Sequence, residues 1–373
     1  MKNLKPVRLA TLLTLISVVA SSPVLAQNQV QLVQVAQSDR QWTGVAVSQD
    51  GRIFVNFPRW SPQVPVSVAE IMADGTQRPF PDTNWNIWRQ GLSPREHFVC
   101  VQSVYVDDQN SLWILDPANP NFKGVVQGGP KLVKVDLQKN RAVQTIRFDE
   151  AIAPQNSYLN DVRVDSQNGY AYITDSGAGA LVVVNLKTGR QRRVLDNDFS
   201  TQSEGTRIVI NGKPWGQLPN GSRDVHVDGI ALDAQGRHLY FHALTGLYLR
   251  RIETRWLQDE TLSGAQLAQK VETLGPTGPT DGMEVDRLGN VYLTVIADNA
   301  IKRFAPDKRL ETVVEDERLA WPDSLAWSGN WLFVTTSQIH FGQNPPGPYR
   351  LFKFVPGPLL TPTGRQSGRV SQK

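Results

Sequence analysis

Along this chain, one pattern of apolar and polar positions recurs six times. Residues 160–175, NDVRVDSQNGYAYITD, give its clearest statement: an alternating run, a turn at Asn-Gly, and a second alternating run with Tyr172 at its centre. Period-2 alternation, β-branched and aromatic residues and a Gly-containing bend predict two short antiparallel strands. The central aromatic returns as Phe54, Trp113, Tyr172, Tyr240, Tyr292 and Phe333, at spacings of 59, 59, 68, 52 and 41 residues. Each is preceded by a first strand and turn (VAVSQDG, VYVDDQN, VRVDSQN, IALDAQG, MEVDRLG, LAWSGN). Each is followed by a third run (VSVAEIM, KLVKVDL, LVVVNLK, LYLRRIE, IKRFAPD, LFKFVPG). A fourth, outer strand fits residues 142–148 and 310–314.

No helical pattern longer than about three turns follows residue 27, so the chain reads as all-β. Six units of three or four strands predict a six-bladed β-propeller, in which each blade buries its faces against its neighbours. The last repeat ends after its third strand, while Gln29 to Gln37 have a strand pattern with no repeat of their own. That N-terminal strand is expected to serve as the outer strand of the sixth blade and close the ring. The propeller is assigned to residues 27–358, with a solvated tail at 359–373.

Residues 1–26 are set apart. Lys2, Lys5 and Arg8 precede an apolar run from Leu9 to Ala20, and small residues stand at the −3 and −1 positions of a cleavage site after Ala26. This is a secretory-signal pattern, too short for a membrane span, and implies a secreted or periplasmic protein. The formal net charge of +4 includes those three cations, which leaves +1 for the rest. Neither nucleic acid nor a membrane is therefore an expected partner after cleavage, and a monomer is expected. The single cysteine, Cys100, lies in an apolar run and reads as a buried, inert thiol, so no internal disulfide can form.

Aligned first strands give one polar column: Thr43, Gln102, Asn160, Asp228, Asp281 and Asp323. The next column, Gly44, Ser103, Asp161, Gly229, Gly282 and Ser324, is small except at Asp161. The first strand of a propeller blade is innermost, so the polar column is expected at the mouth of the central channel. Strand alternation places it on the same face as Val162 and Val164, or Ile230 and Leu232. Converging carboxylates bind a cation, share protons, stay hydrated, or cap strand entrances. Asn160, Asp228 and Asp281 offer hard oxygen ligands for Ca²⁺ or another divalent cation. The aspartates at the turns, Asp107, Asp165, Asp233 and Asp286, are expected to brace those turns.

Two long connections suggest lids: residues 80–98, carrying Trp85, Trp88, Arg95 and His97, and residues 196–225, carrying Trp215. His226, two residues before Asp228, is the acid–base candidate. His238 and His242 read as surface or packing residues. The chain has no G-x-S-x-G elbow, H-E-x-x-H, C-x-x-C or phosphate loop.

Residues 98–120 (FVCVQSVYVDDQNSLWILDPANP), 160–195 (NDVRVDSQNGYAYITDSGAGALVVVNLKTGRQRRVL) and 228–259 (DGIALDAQGRHLYFHALTGLYLRRIETRWLQD) resemble the yellow / major royal jelly protein family in its bacterial secreted form. The resemblance implies a six-bladed propeller and a dopachrome-tautomerase-like protein that takes a small aromatic or cationic molecule at the channel mouth. Asp228, Asp281 and Asp323 would meet the amine there, and Trp85 or Trp88 would stack on its ring. A more distant resemblance is to gluconolactonase-type propellers, which implies a metal-dependent lactone hydrolase with Asn160, Asp228 and Asp281 as ligands. Here the first-blade position reads Trp42-Thr43-Gly44, without the glutamate of that pattern. A non-catalytic interaction scaffold is the third reading.

Overall fold

The computed structural model describes residues 30–216, 222–342 and 344–358; the expected signal segment 1–26, the expected tail 359–373 and residues 217–221 of one predicted lid lie outside them. Six antiparallel four-stranded sheets surround one axis. Their inner strands are Val45–Val47, Ser103–Val106, Leu159–Asp165, Val227–Leu232, Thr280–Val285 and Pro322–Ser328. Each packs against the inner strands of both neighbouring blades, and the first packs against the sixth. Ring closure follows the sequence expectation: Val33–Ser38 is the outer strand of the sixth blade, paired antiparallel with Tyr349–Phe354.

The apolar cores are wedges between blades, so no blade buries its faces alone. Between the second and third blades, Trp113 and Leu115 meet Val162, Val164 and Ile173. Between the sixth and first, Phe333 and Leu351 meet Val45 and Val55. The repeated aromatic of each second strand is buried in all six blades. Several carry a cation from the facing third strand: Lys134 lies 5.2 Å from the centre of the Trp113 ring, and Arg303 5.8 Å from that of Tyr292. The ring quadrupole attracts the cation while its methylene stem covers apolar surface. Turn aspartates brace the turns as expected; Asp107 accepts from the Gln109 and Ser111 amides and from the Trp113 indole at 2.8 to 3.0 Å.

The inner strands depart from simple alternation. Leu159 faces Asp175 and Val162 faces Ile173, so Asn160 and Asp161 together oppose Thr174. The same β-bulge sets Asp228-Gly229 against His242, Asp281-Gly282 against Thr294 and Asp323-Ser324 against Thr335. A bulge inserts one residue and re-aims the side chains around it. This overturns the expectation that the polar column shares a face with Val162 and Val164, which lie in the wedge between blades.

At three of these bulges the freed backbone N–H goes to a buried threonine of the second strand, and a buried asparagine does the same at the start of the first blade. The Asp161, Gly282 and Ser324 amides donate to the hydroxyls of Thr174, Thr294 and Thr335 at 3.1, 2.8 and 3.1 Å, and Gly44 donates to Asn56 Oδ1 at 3.0 Å. Thr174 passes the link to the next blade, donating to the Asp228 carbonyl at 2.6 Å, and Thr335 donates to the Thr43 carbonyl. The small second column has a matching cause. A Cβ on Gly229 would lie 2.2 Å from the Asp281 carbonyl oxygen, and one on Gly282 2.1 Å from that of Asp323.

Thr174→Val keeps the shape but removes an acceptor and a donor, leaving the Asp161 amide and the Asp228 carbonyl unsatisfied. Stability should fall by about 1–3 kcal/mol, read as a lower urea midpoint; an unchanged midpoint would remove the hydroxyl from this role.

Candidate functional site

Five of the six predicted ring residues line one cavity of about 490 Å³ at the channel mouth: Gln102 and, from the bulged strands, Asn160, Asp228, Asp281 and Asp323. Thr43 is not among them. Its hydroxyl is fully buried between the first two blades, donating to the Gln102 carbonyl at 3.1 Å and accepting from Asn56 Nδ2 at 2.8 Å.

The floor of the cavity is a chain of hydrogen bonds across four blades. Asn160 Nδ2 donates to Asp228 Oδ1 at 2.5 Å, a hydrogen bond joins the Asp228 and Asp281 side chains, and the Trp321 indole N–H donates to Asp281 Oδ2 at 2.6 Å. Two carboxyl groups can be hydrogen-bonded to each other only if one holds a proton. Asp323 stands beside them, held by Ser324 and Ser337, and Asp161 lies within electrostatic reach below. All four carboxyls are buried, and no ion pair among the described residues includes Asp228, Asp281 or Asp323. Burial, and then the neighbouring carboxylates, push Asp228 and Asp323 well above the ordinary carboxylate range. Asp281 is raised to about 7, first by burial, against the opposing pull of the Trp321 hydrogen bond.

The walls are aromatic. Trp60, Phe122 and Tyr158 form a stack on one side, with ring centres 5.3 and 4.6 Å apart. Tyr158 ties that wall to the floor, accepting from Trp60 Nε1 at 2.7 Å and donating to Gln102 Oε1 at 3.0 Å. Trp215 and Trp321 meet edge to face at 5.2 Å on the other side. Trp215 comes from the 196–225 connection, so the described part of that predicted lid does reach the cavity.

The first predicted lid does not. Residues 80–98 fold down beside the first two blades through a short helix, Thr83–Asn86, capped by Asp82. Trp85 packs on Phe98 at 4.8 Å, and Trp88 covers Val99 and Cys100 beneath Arg59. His97 is buried on the Asn84 carbonyl at 2.7 Å, and Arg95 lines a separate groove with Arg147. Apolar burial decided their place: both tryptophans fill gaps next to the wedges.

His226 lines the cavity, and its chemistry is fixed by one contact. The Ser203 amide donates to Nδ1 at 3.0 Å. The neutral ring therefore carries its hydrogen on Nε2, and burial lowers its tendency to protonate. Neither nitrogen offers a free lone pair, so His226 is a hydrogen-bond donor and the carboxyls are the available bases. His242 is buried on Thr277 and pushed down to about 4, and Cys100 is buried and pushed up to about 12; both are structural.

Asn160 turns its amide nitrogen to Asp228, the Asp228 and Asp281 carboxyls hold each other, and no group of three or more His, Cys, Asp or Glu among the described residues could hold a metal ion. The wall residues Tyr158 and Trp321 carried a sequence signal that the repeat alignment passes over: like His226, each stands two residues before its ring residue.

Residues 99–341 match the family model described as major royal jelly protein, and the chain belongs to that family. It is 25% identical over 185 residues to a yellow-related salivary protein of Lutzomyia longipalpis, covering 44% of each chain. It is 22% identical over 270 residues to protein yellow of Drosophila melanogaster, covering 67% of this chain and 48% of that one. The chain thus spans about half the length of the curated relatives it matches. Among solved structures, a gluconolactonase from Xanthomonas campestris superposes with a TM-score of 0.55 at 14% identity, over 88% of this chain and 90% of that one. A luciferin-regenerating enzyme does so at 0.53 and 10%, over 87% and 95%. At that identity the likeness is one of fold.

A carboxyl that binds its proton more tightly folded than unfolded stabilises the fold at acid pH. That contribution is lost as pH rises from the ordinary carboxylate range through the folded value, about 7 for Asp281. The melting temperature should therefore fall between about pH 5 and about pH 8, and fall less in Asp281→Asn. Parallel profiles for the two proteins would mean that the cluster is not the source.

Proposed function

We propose that this member of the major royal jelly protein family binds a small aromatic molecule bearing a single positive charge, with its ammonium group on the floor carboxyls and its ring between the aromatic walls. One observation carries the reading: Asp228, Asp281 and Asp323 are buried together without a basic partner, directly beneath five aromatic rings. An ammonium group supplies the missing charge and N–H donors, and a flat ring matches the aromatic character of the walls. Lys123 at the rim is the one Lys or Arg among the described residues lining the cavity.

A second reading follows from the proton shared by Asp228 and Asp281. A tautomerisation removes a proton at one atom and returns one at another, and a carboxyl pair with Asp281 near 7 is suited to both steps. The His226 Nε2–H would polarise a carbonyl. This supports a dopachrome-tautomerase-like activity, and Asp281→Asn should slow the loss of dopachrome colour at least about tenfold; equal rates would leave binding alone.

Export is part of the proposal and rests on the basic start, apolar run and cleavage pattern of residues 1–26.

Calorimetry with phenethylamine and 2-phenylethanol separates charge from shape, because the two differ only at the terminal group. The amine should bind at least about tenfold tighter, and the double variant Asp228→Asn, Asp281→Asn should lose that preference while melting as a folded protein. Equal binding of both, or a thermal shift produced by Ca²⁺ and reversed by chelator with none from the amine, would overturn the reading, the latter in favour of a metal-dependent lactonase.

A further inference from the structure

Trp321 has a backbone conformation that its side chain disfavours. Its φ is +54°, in the left-handed region where a bulky residue is an outlier. The corresponding positions of the other blades, two residues before the ring, are Gln41, Cys100, Tyr158, His226 and Pro279, and none of them shares it. Such strain persists where surrounding contacts over-determine it, and it clusters at functional sites. Those contacts are present: the Trp321 carbonyl accepts from the Ser337 amide at 3.0 Å, and the Ala320 carbonyl accepts from the amide of Gln338 at 3.3 Å. Gln338 is itself left-handed, with φ of +50°.

The kink has one consequence at the cavity. It turns a fully buried indole inward, stacks it on His340 at 5.9 Å, and sets its N–H on Asp281 Oδ2. Apolar packing alone requires no particular direction for the indole nitrogen. A hydrogen bond from the indole N–H to a carboxylate does require one, and it favours the charged form of that carboxylate.

We infer that Trp321 is the positioning residue of this site: its strained backbone aims the indole N–H at Asp281, which orients that carboxyl toward Asp228 and sustains its charge for an incoming cation. Asn160 does the same for Asp228 from the opposite end, so the pair is clamped between two N–H donors on different blades. The inference rests on the reading that the pair receives the ligand's ammonium group, and it adds the group that prepares the pair before the ligand arrives.

Two experiments on the full chain test it. In the ligand-free protein, the indole N–H resonance lost in Trp321→Phe belongs to Trp321, and it should move upfield in Asp281→Asn; a resonance that stays in place would overturn the inference whether or not any amine binds. In calorimetry with phenethylamine, Trp321→Phe should weaken binding about tenfold in the wild-type background and leave it almost unchanged in Asp281→Asn, the signature of one shared interaction. Equal losses in the two backgrounds would reduce Trp321 to a wall residue. Trp321→Tyr, which returns a hydroxyl donor to the same place, should recover part of the affinity and serves in its stead if Trp321→Phe does not fold. Absence of phenethylamine binding in the wild type would remove the amine reading and leave the resonance experiment to decide the role of Trp321.

Discussion

Three carboxylates buried around one axis, with no basic residue paired to them, are the condition to which the rest of the structure responds. Isolated buried charges are expensive, so they must be protonated, hydrogen-bonded or paired. This fold uses the first two means and leaves the third open. Asn160 and Trp321 hold the ends of the Asp228–Asp281 pair, Ser324 and Ser337 hold Asp323, and a proton sits within the pair. The proposed ammonium ligand would supply that third means, under a roof of aromatic rings.

Such a cluster can stand only on a scaffold that does not yield. Each inner strand is fixed on both sides by apolar wedges, and the bulges that aim the ring are tied from blade to blade by buried hydroxyls. The carbonyls of Asp281 and Asp323 pass so close to the preceding blade that only glycine fits at Gly229 and Gly282. Rigidity below and variable connections above are the usual division of labour in propellers. It also explains how a gluconolactonase and a luciferin-regenerating enzyme share this architecture at 14% and 10% identity. The fold fixes where a site can be, and the side chains at the strand starts fix what it can do.

The sequence by itself determined the six blades, the closure by the N-terminal strand, the bracing aspartates, the inert Cys100 and the polar column at the strand starts. All of these are local: alternation, turn residues and repeat spacing are written in consecutive positions and survive any arrangement of the blades. Membership in a family of propellers reinforced the count, and Asn160, Asp228 and Asp281 were legible because they recur in register.

Only the tertiary structure decided which members of the column meet. A bulge turns Asn160 and Asp228 into the channel, while Thr43 is kept by Asn56 between two blades; alternation cannot reveal a register shift, because that depends on the partner strand. The walls show the same division. Trp85 and Trp88 resemble lid residues in sequence but fill apolar gaps beside the wedges, whereas Tyr158 and Trp321 are set over the floor by the geometry of strand entry. Burial, the largest of the causes that raise Asp281 to about 7, belongs to no single segment. It arises when four blades bring their first residues to one axis and exclude water between them.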